Sequence, residues 1–201
     1  MKTIKLSLVA VLLFLLNACS NLDENQQLLM RNKDFQQAYL NLLNKESESK
    51  DQVDSIFYGI HLKMTASEFY DHCRKMYKKG IFNGDYDMQV VVKLAEPFER
   101  PVKLIFYPSF DKPFISKLIS HFSYVDANIF KKADRSNVLM KELIPILRNW
   151  YGGNEFLEMP SGNPLKGPGY VKIDGNRKII VSESDNVTDI EVIYEDLKPL
   201  H

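Results

Sequence analysis

The chain has 201 residues with 26 basic and 26 acidic side chains, 45% hydrophobic content, nine Gly, nine Pro and two Cys. This hydrophobicity without net charge excludes a disordered chain, and two cysteines are too few for a disulfide scaffold. Balanced charge also lacks the basic excess that marks a nucleic-acid partner, so none is expected.

Residues 1–5 form a short basic start, and residues 6–16 (LSLVAVLLFLL) are apolar apart from Ser7. Crossing a bilayer as a helix takes about 20 apolar residues, whereas the core of a signal peptide takes about 7–15. The run therefore reads as an export signal. It ends in Leu16-Asn17-Ala18-Cys19, which resembles the lipobox of bacterial lipoproteins: an aliphatic residue, a tolerant position, a small residue, then cysteine. The resemblance implies cleavage between Ala18 and Cys19 and a diacylglycerol on the Cys19 sulfur. One acyl chain binds a membrane only marginally, so a stable anchor needs two or three. Ser20, where Asp would retain such a protein at the inner membrane, implies the outer membrane of the cell envelope. Asp23-Glu24 matches cell-surface export signals poorly in spacing, so periplasmic and surface-facing orientations both stay open.

Cleavage leaves 183 residues and removes Lys2 and Lys5, for a formal charge of −2. Residues 19–54 read as a lipidated, partly helical tether. Leu28, Phe35, Tyr39 and Leu42 follow a helical period, with Leu29 and Leu43 beside two of them. A lone helix of this length is marginal in water, so it packs on the domain or on a partner. The following Glu46-Ser47-Glu48-Ser49-Lys50-Asp51 reads as a solvated linker.

Residues 55–201 read as one α+β domain. Thr65-Ala66-Ser67-Glu68 is a capping box, and Met64 and Phe69 stand where a hydrophobic staple forms. Phe69, Cys73, Met76 and Tyr77 share one helical face, and Gly80 supplies the stop. Strands are predicted from Met88 to Leu94, from Val102 to Pro108, and over 118–125, where a helix competes. A second helix runs from Asp134 or Ser136 to Trp150, with a kink or break expected at Pro145 and an end at Gly152-Gly153. Four strands follow, over 154–159, 170–173, 178–182 and 189–195, with Asp174-Gly175-Asn176 as a tight hairpin. The order describes two similar units, about 55–133 and 134–198, each a helix followed by antiparallel strands. The predicted architecture is one antiparallel sheet of about six or seven strands packed on two helices.

The segment Tyr58-Gly59-Ile60-His61-Leu62-Lys63-Met64-Thr65-Ala66-Ser67-Glu68-Phe69 resembles the G-M-T/S-x-x-E helix start of small outer-membrane lipoproteins of the SmpA/BamE kind. Lys63 replaces the glycine of that pattern. Those proteins, like the β-lactamase inhibitor proteins, place a helical segment before an antiparallel sheet, and the inhibitors duplicate that unit. The resemblance covers a dozen residues and implies the fold more than a function.

Catalytic chemistry finds little support. Cys73 shares its face with Phe69 and Met76, and free cysteine ordinarily packs in cores. His72 points about 100° away from it on the helix, and no H-x-x-x-H or C-x-x-C spacing occurs. The pairs Asp85/Asp87 and Glu183/Asp185 lie near loop ends, and Lys131, Lys132 and Arg135 read as a solvated cluster. No G-x-S-x-G elbow is present. No catalytic residue, metal site or cofactor is therefore assigned. Of the 22 Phe and Tyr side chains, most belong to the core, while Tyr107 and Tyr151 are candidate outward-facing binding residues. The expectation is a membrane-anchored, non-enzymatic protein-binding or envelope-assembly module. Its alternatives are an inhibitor or accessory protein of a periplasmic enzyme, and a glycan or small-ligand binding protein.

Overall fold

Thr65 ends an extended segment (φ −70°, ψ 159°) and caps the helix that follows. The Glu68 N–H donates to Thr65 Oγ1 at 3.2 Å, and the Thr65 N–H donates back to Glu68 Oε2 at 2.8 Å. This reciprocal bond satisfies two of the donors that a helix start leaves orphaned. The computed structural model describes residues 24–83, 90–111, 113–163 and 166–198. Among them are three α-helices, α1 (Glu24–Glu48), α2 (Ala66–Lys78) and α3 (Ser136–Tyr151). The strands are β1 (Val90–Leu94), β2 (Val102–Asp111), β3 (Phe114–Tyr124), β4 (Leu157–Met159), β5 (Gly169–Asp174), β6 (Arg177–Glu183) and β7 (Ile190–Asp196). Ala18, Cys19, the apolar run 6–16 and the Asp85/Asp87 pair lie outside the described residues.

The seven strands form one antiparallel sheet in the order β1-β2-β3-β7-β6-β5-β4. Each of the helices α2 and α3 precedes a meander, and the two meanders meet edge to edge where β3 pairs with β7. The inward parity of the central strands is almost wholly apolar: Leu104, Phe106, Leu118, Phe122, Val192, Tyr194, Ile179 and Val181 are at most 1% exposed. Against them pack Phe69 and Cys73 from α2 and Leu139, Leu143 and Leu147 from α3. Burying each such side chain is worth about 1.5–3 kcal/mol, which makes this layer the dominant stabilising term.

Several local expectations change in detail. β2 continues through Pro108 to Asp111, with Pro108 opposite Leu118 of β3. The 118–125 segment resolves as strand and begins earlier, at Phe114. α3 is unbroken at Pro145, which faces solvent, so the carbonyl it releases stays hydrated. Residues 154–156 do not join a ladder, since the Asn154 N–H is bonded to Asp174 Oδ1 at 2.8 Å instead. At the β5–β6 hairpin only Gly175 has positive φ (56°), consistent with a glycine-first two-residue turn.

The largest departure concerns the tether. Residues 24–48 form a continuous helix lying against β4 and β5, and Val171 and Ile173, on the sheet face opposite the main core, are buried there. The acidic run 46–51 begins inside this helix and is no solvated linker at Glu46, which is 8% exposed. Its carboxylate accepts from the Gly175 N–H at 2.7 Å and from Asn154 Nδ2 at 2.8 Å. Val53 N–H donates to Asn176 Oδ1 at 2.7 Å, and Lys198 Nζ donates to the Ser49 carbonyl at 2.7 Å. The reason lies in the hairpin turn, whose free N–H groups need acceptors that a sequence-distant carboxylate supplies.

Candidate binding surface

The strand register sets the site. One parity of the sheet faces α2 and α3; the other presents a cross-strand row running Tyr107–Ile119–Ile193–Ile180–Val171–Leu157 over six strands. At about 4.8 Å between strands the row is roughly 24 Å long. Val171 is buried where α1 covers the sheet, whereas Tyr107, Ile119, Ile193 and Ile180 are only partly buried. Four large apolar side chains thus keep partial exposure in one line on a face that usually carries polar residues in antiparallel sheets.

Charged rows border this line. On one side Glu195 lies between Lys117 (2.7 Å) and Lys178 (2.5 Å), the three in register on neighbouring strands. Burial pushes the Glu195 carboxyl up, but the two lysines outweigh it and hold it below the usual carboxylate range. On the other side Ile105, His121, Glu191 and Ser182 form the adjacent row, with His121 Nε2 3.9 Å from Glu191. Tyr107 stacks on His121 with ring centroids 6.1 Å apart. The Tyr107 ring is therefore braced by its neighbour, an amphipathic element of the kind that anchors protein contacts.

Tyr151, the other tyrosine expected to face outward, is placed differently. Its hydroxyl donates to the Tyr194 hydroxyl at 3.0 Å, and the Arg177 guanidinium stacks over its ring at 4.6 Å. Burial pushes both phenols up, Tyr151 well above its ordinary value. α3 ends one residue later at Gly152, so the helix's core face carries the ring inward. Tyr151 is partly buried, its hydroxyl and ring engaged by Tyr194 and Arg177.

The polar cluster around Arg177 escaped the sequence reading. Lys172 is fully buried, and Arg177 is 2% exposed. Asp174 meets both, at 3.0 Å and 3.2 Å, and Lys172 also donates to the Asn154 carbonyl. Arg177 donates further to the Ser55 carbonyl at 2.6 Å, and Asn176 bridges Asp54 (2.8 Å) and Asp196 (2.9 Å). Lys172 and Arg177 both have acceptors, as buried charge requires, although Arg177 Nε–H meets none. The result is a structural knot that ties β5, β6 and β7 to residues 46–55.

A second concavity, of about 550 Å³, opens between α1 and the β4–β5 connection, lined by Arg31, Phe35, Ala38, Leu157, Pro160 and Lys166 among others. Elsewhere the polar candidates are engaged singly. Cys73 is buried, and burial pushes its thiol up to about 11. His72 Nε2 donates to the Tyr58 carbonyl at 2.7 Å, and the terminal His201 lies outside the described residues. Glu183 accepts from the Gly167 N–H at 3.2 Å, while Asp185 is fully exposed and pairs with Lys166 at 2.9 Å. Lys131, Lys132 and Arg135 are exposed. Among the described residues no three His, Cys, Asp or Glu side chains gather as a metal site would require, and no helix is long and apolar enough to cross a membrane.

Some of this surface had a visible signal. Ile119, Ile180 and Ile193 stand at outward positions in strands whose inward positions are also apolar. Such double-sided strands mark a sheet that needs cover on both faces. Compared with known protein families, with characterised proteins and with solved structures, the chain matches none.

Proposed function

We propose that this chain is a lipid-anchored, non-catalytic binding module of the bacterial cell envelope, held to the outer membrane through Cys19, that grips a protein partner on the open face of its sheet. The observation carrying this reading is the partly exposed row Tyr107–Ile119–Ile193–Ile180 between two charged rows. An apolar line rimmed by paired charges suits a partner that presents its own apolar ridge with a polar border. Tyr107 and the isoleucines supply desolvation; Lys117, Glu195, Lys178, His121 and Glu191 set the register. Inhibition or support of an envelope enzyme is one form this contact takes. The α1–β4 cleft favours a second reading, a glycan or small-ligand site, because its walls combine Phe35 and Leu157 with Arg31 and Lys166.

The test places a photo-crosslinking amino acid at Tyr107 in the full chain and irradiates intact cells. A discrete adduct is expected at Tyr107 and not at the exposed Lys79, and Ile193→Arg abolishes it. An adduct indifferent to Ile193→Arg, or none at all, refutes the sheet-face reading. Glycan binding abolished by Phe35→Ala in its place selects the cleft.

A further inference from the structure

Phe130 is 87% exposed, the most exposed large apolar side chain among the described residues, and its neighbour Ile129 is 53% exposed. They sit in the connection between β3 and α3, followed directly by Lys131 and Lys132 and then Arg135, all exposed. The loop is ordered by its own bonds. The Phe130 N–H donates to Asn128 Oδ1 at 2.9 Å, the Lys131 N–H to the Asn128 carbonyl at 2.9 Å, and the Asn128 N–H to Asp134 Oδ2 at 2.9 Å. Asp134 itself is 3% exposed and held by Arg100 at 2.7 Å. A rigid turn thus pushes two apolar side chains into water beside three cations. Ser136 N–H donates to the Val187 carbonyl at 2.9 Å, which ties this loop to the β6–β7 connection, where Val187 is 53% exposed.

The chain's direction ties this rim to the anchor. β3 and β6 end, and β5, β7 and α3 begin, at the same end of the sheet. Lys166 of the β4–β5 connection reaches Asp185 there at 2.9 Å. α1 runs along β4 and β5 with Glu46 at Gly175, at the opposite end, and with Arg31 to Ala38 against residues 157–168. Its N-terminus therefore leaves the domain at the Phe130 end. Four residues separate Glu24 from Cys19, so the two lie within at most about 18 Å of chain.

We infer that the Ile129-Phe130 turn is a membrane-contacting element: Phe130 inserts at the interface of an anionic bilayer while Lys131, Lys132 and Arg135 meet its headgroups. An aromatic tip beside basic residues is the combination that bilayer interfaces favour. With α1 docked, this end faces the anchoring membrane, and the open sheet face lies on the side of the domain, free for a partner. The orientation rests on the lipid-anchor reading; insertion by Phe130 does not.

The test uses the full chain, purified with its lipid from the envelope and reconstituted in phosphatidylethanolamine–phosphatidylglycerol vesicles carrying brominated acyl chains. Phe130→Trp places a reporter in the turn. The chain's own Trp150 lies fourteen residues from Ser136 along α3, about 21 Å away, and serves as the internal reference. Expected is a blue-shifted Phe130→Trp emission quenched at least about twofold by bromine, with the Trp150 emission of the unaltered chain unquenched. Lys131→Glu/Lys132→Glu reverses the quenching. Emission that stays water-like and unquenched in co-floating protein overturns the inference. A blue shift without bromine quenching means contact with a second copy or another protein, and also overturns it. Mass spectrometry of the Cys19 peptide separates the two readings. If Cys19 carries no lipid the anchor fails, and Phe130→Trp chain added to the same vesicles still decides insertion by the same quenching criterion.

Discussion

Removing the Glu46 carboxylate is expected to release α1 while leaving the sheet folded. Glu46 accepts from the Gly175 N–H at 2.7 Å and Asn154 Nδ2 at 2.8 Å, with Lys45 3.4 Å away. Hydrogen bonds to a charged acceptor contribute about 1.5–3 kcal/mol each, and Glu46→Ala leaves both donors without it. α1 packs only on β4 and β5 among the major elements, so it opens as a local unit. A loss of about 2–3 kcal/mol in docking accelerates amide exchange across α1 roughly 30- to 150-fold. Amides of β3, β6 and β7 keep their protection, as does Val53, which Asn176 holds independently. Glu46→Gln keeps an acceptor for Gly175 but sets an amide against Asn154, and gives an intermediate effect. Acid acts on the same group. Burial pushes its pKa up, yet the Gly175 and Asn154 donors and Lys45 outweigh burial and hold it below the ordinary value. The clamp is therefore complete above the free-glutamate pKa of about 4.3 and is lost as pH falls through the lower, folded value. Unchanged α1 exchange in Glu46→Ala, or loss of protection in α1 and the sheet together, refutes the reasoning.

Lys63 occupies left-handed backbone (φ 64°) while its ammonium lies 3.6 Å from Asp196 and 3.7 Å from Asp54. Lys63→Gly and Lys63→Ala both lose these pairs, but only glycine relieves the backbone, so urea melts should rank Gly above Ala by about 1 kcal/mol. Gly175→Ala forces a β-carbon to 2.6 Å from the Asp51 carbonyl at φ 56° and should destabilise by at least about 1–2 kcal/mol, read from the urea midpoint. Cys73, with its thiol pushed up to about 11, should resist thiol reagents at pH 8 in the native protein and react at once after denaturation.

The helix starts and turns were legible because their chemistry is local. Thr65 and Glu68 are three residues apart, and Gly175 must adopt positive φ whatever surrounds it. Strand parity was legible for the same reason, which is why β1, β2, β6 and β7 arise near their expected places. Glu46 was misread because its partners lie 108 and 129 residues away. Within the run Glu46-Ser47-Glu48 nothing distinguishes the buried carboxylate from the exposed one. The partners of Tyr151 were likewise illegible: it is adjacent to exposed Trp150, and only the crossing of α3 over β6 and β7 decides which ring meets Arg177 and Tyr194.

By itself, then, the sequence determined an α+β chain with one antiparallel sheet, its helix caps, its hairpin and the residues that build the core, since periodicity and capping act over a few residues. It also carries Leu16-Asn17-Ala18-Cys19, whose resemblance to a lipobox is the ground for the proposed anchor at Cys19. Only the tertiary structure decided that β3 and β7 join the two meanders, that α1 is docked along β4 and β5, and that four apolar side chains line up on the sheet's open face. Those outcomes depend on strand order and register, which at the β3–β7 seam pair residues as far apart as Phe122 and Ile190 or Lys117 and Glu195. Local patterns carry no information about such pairings until the chain has chosen them.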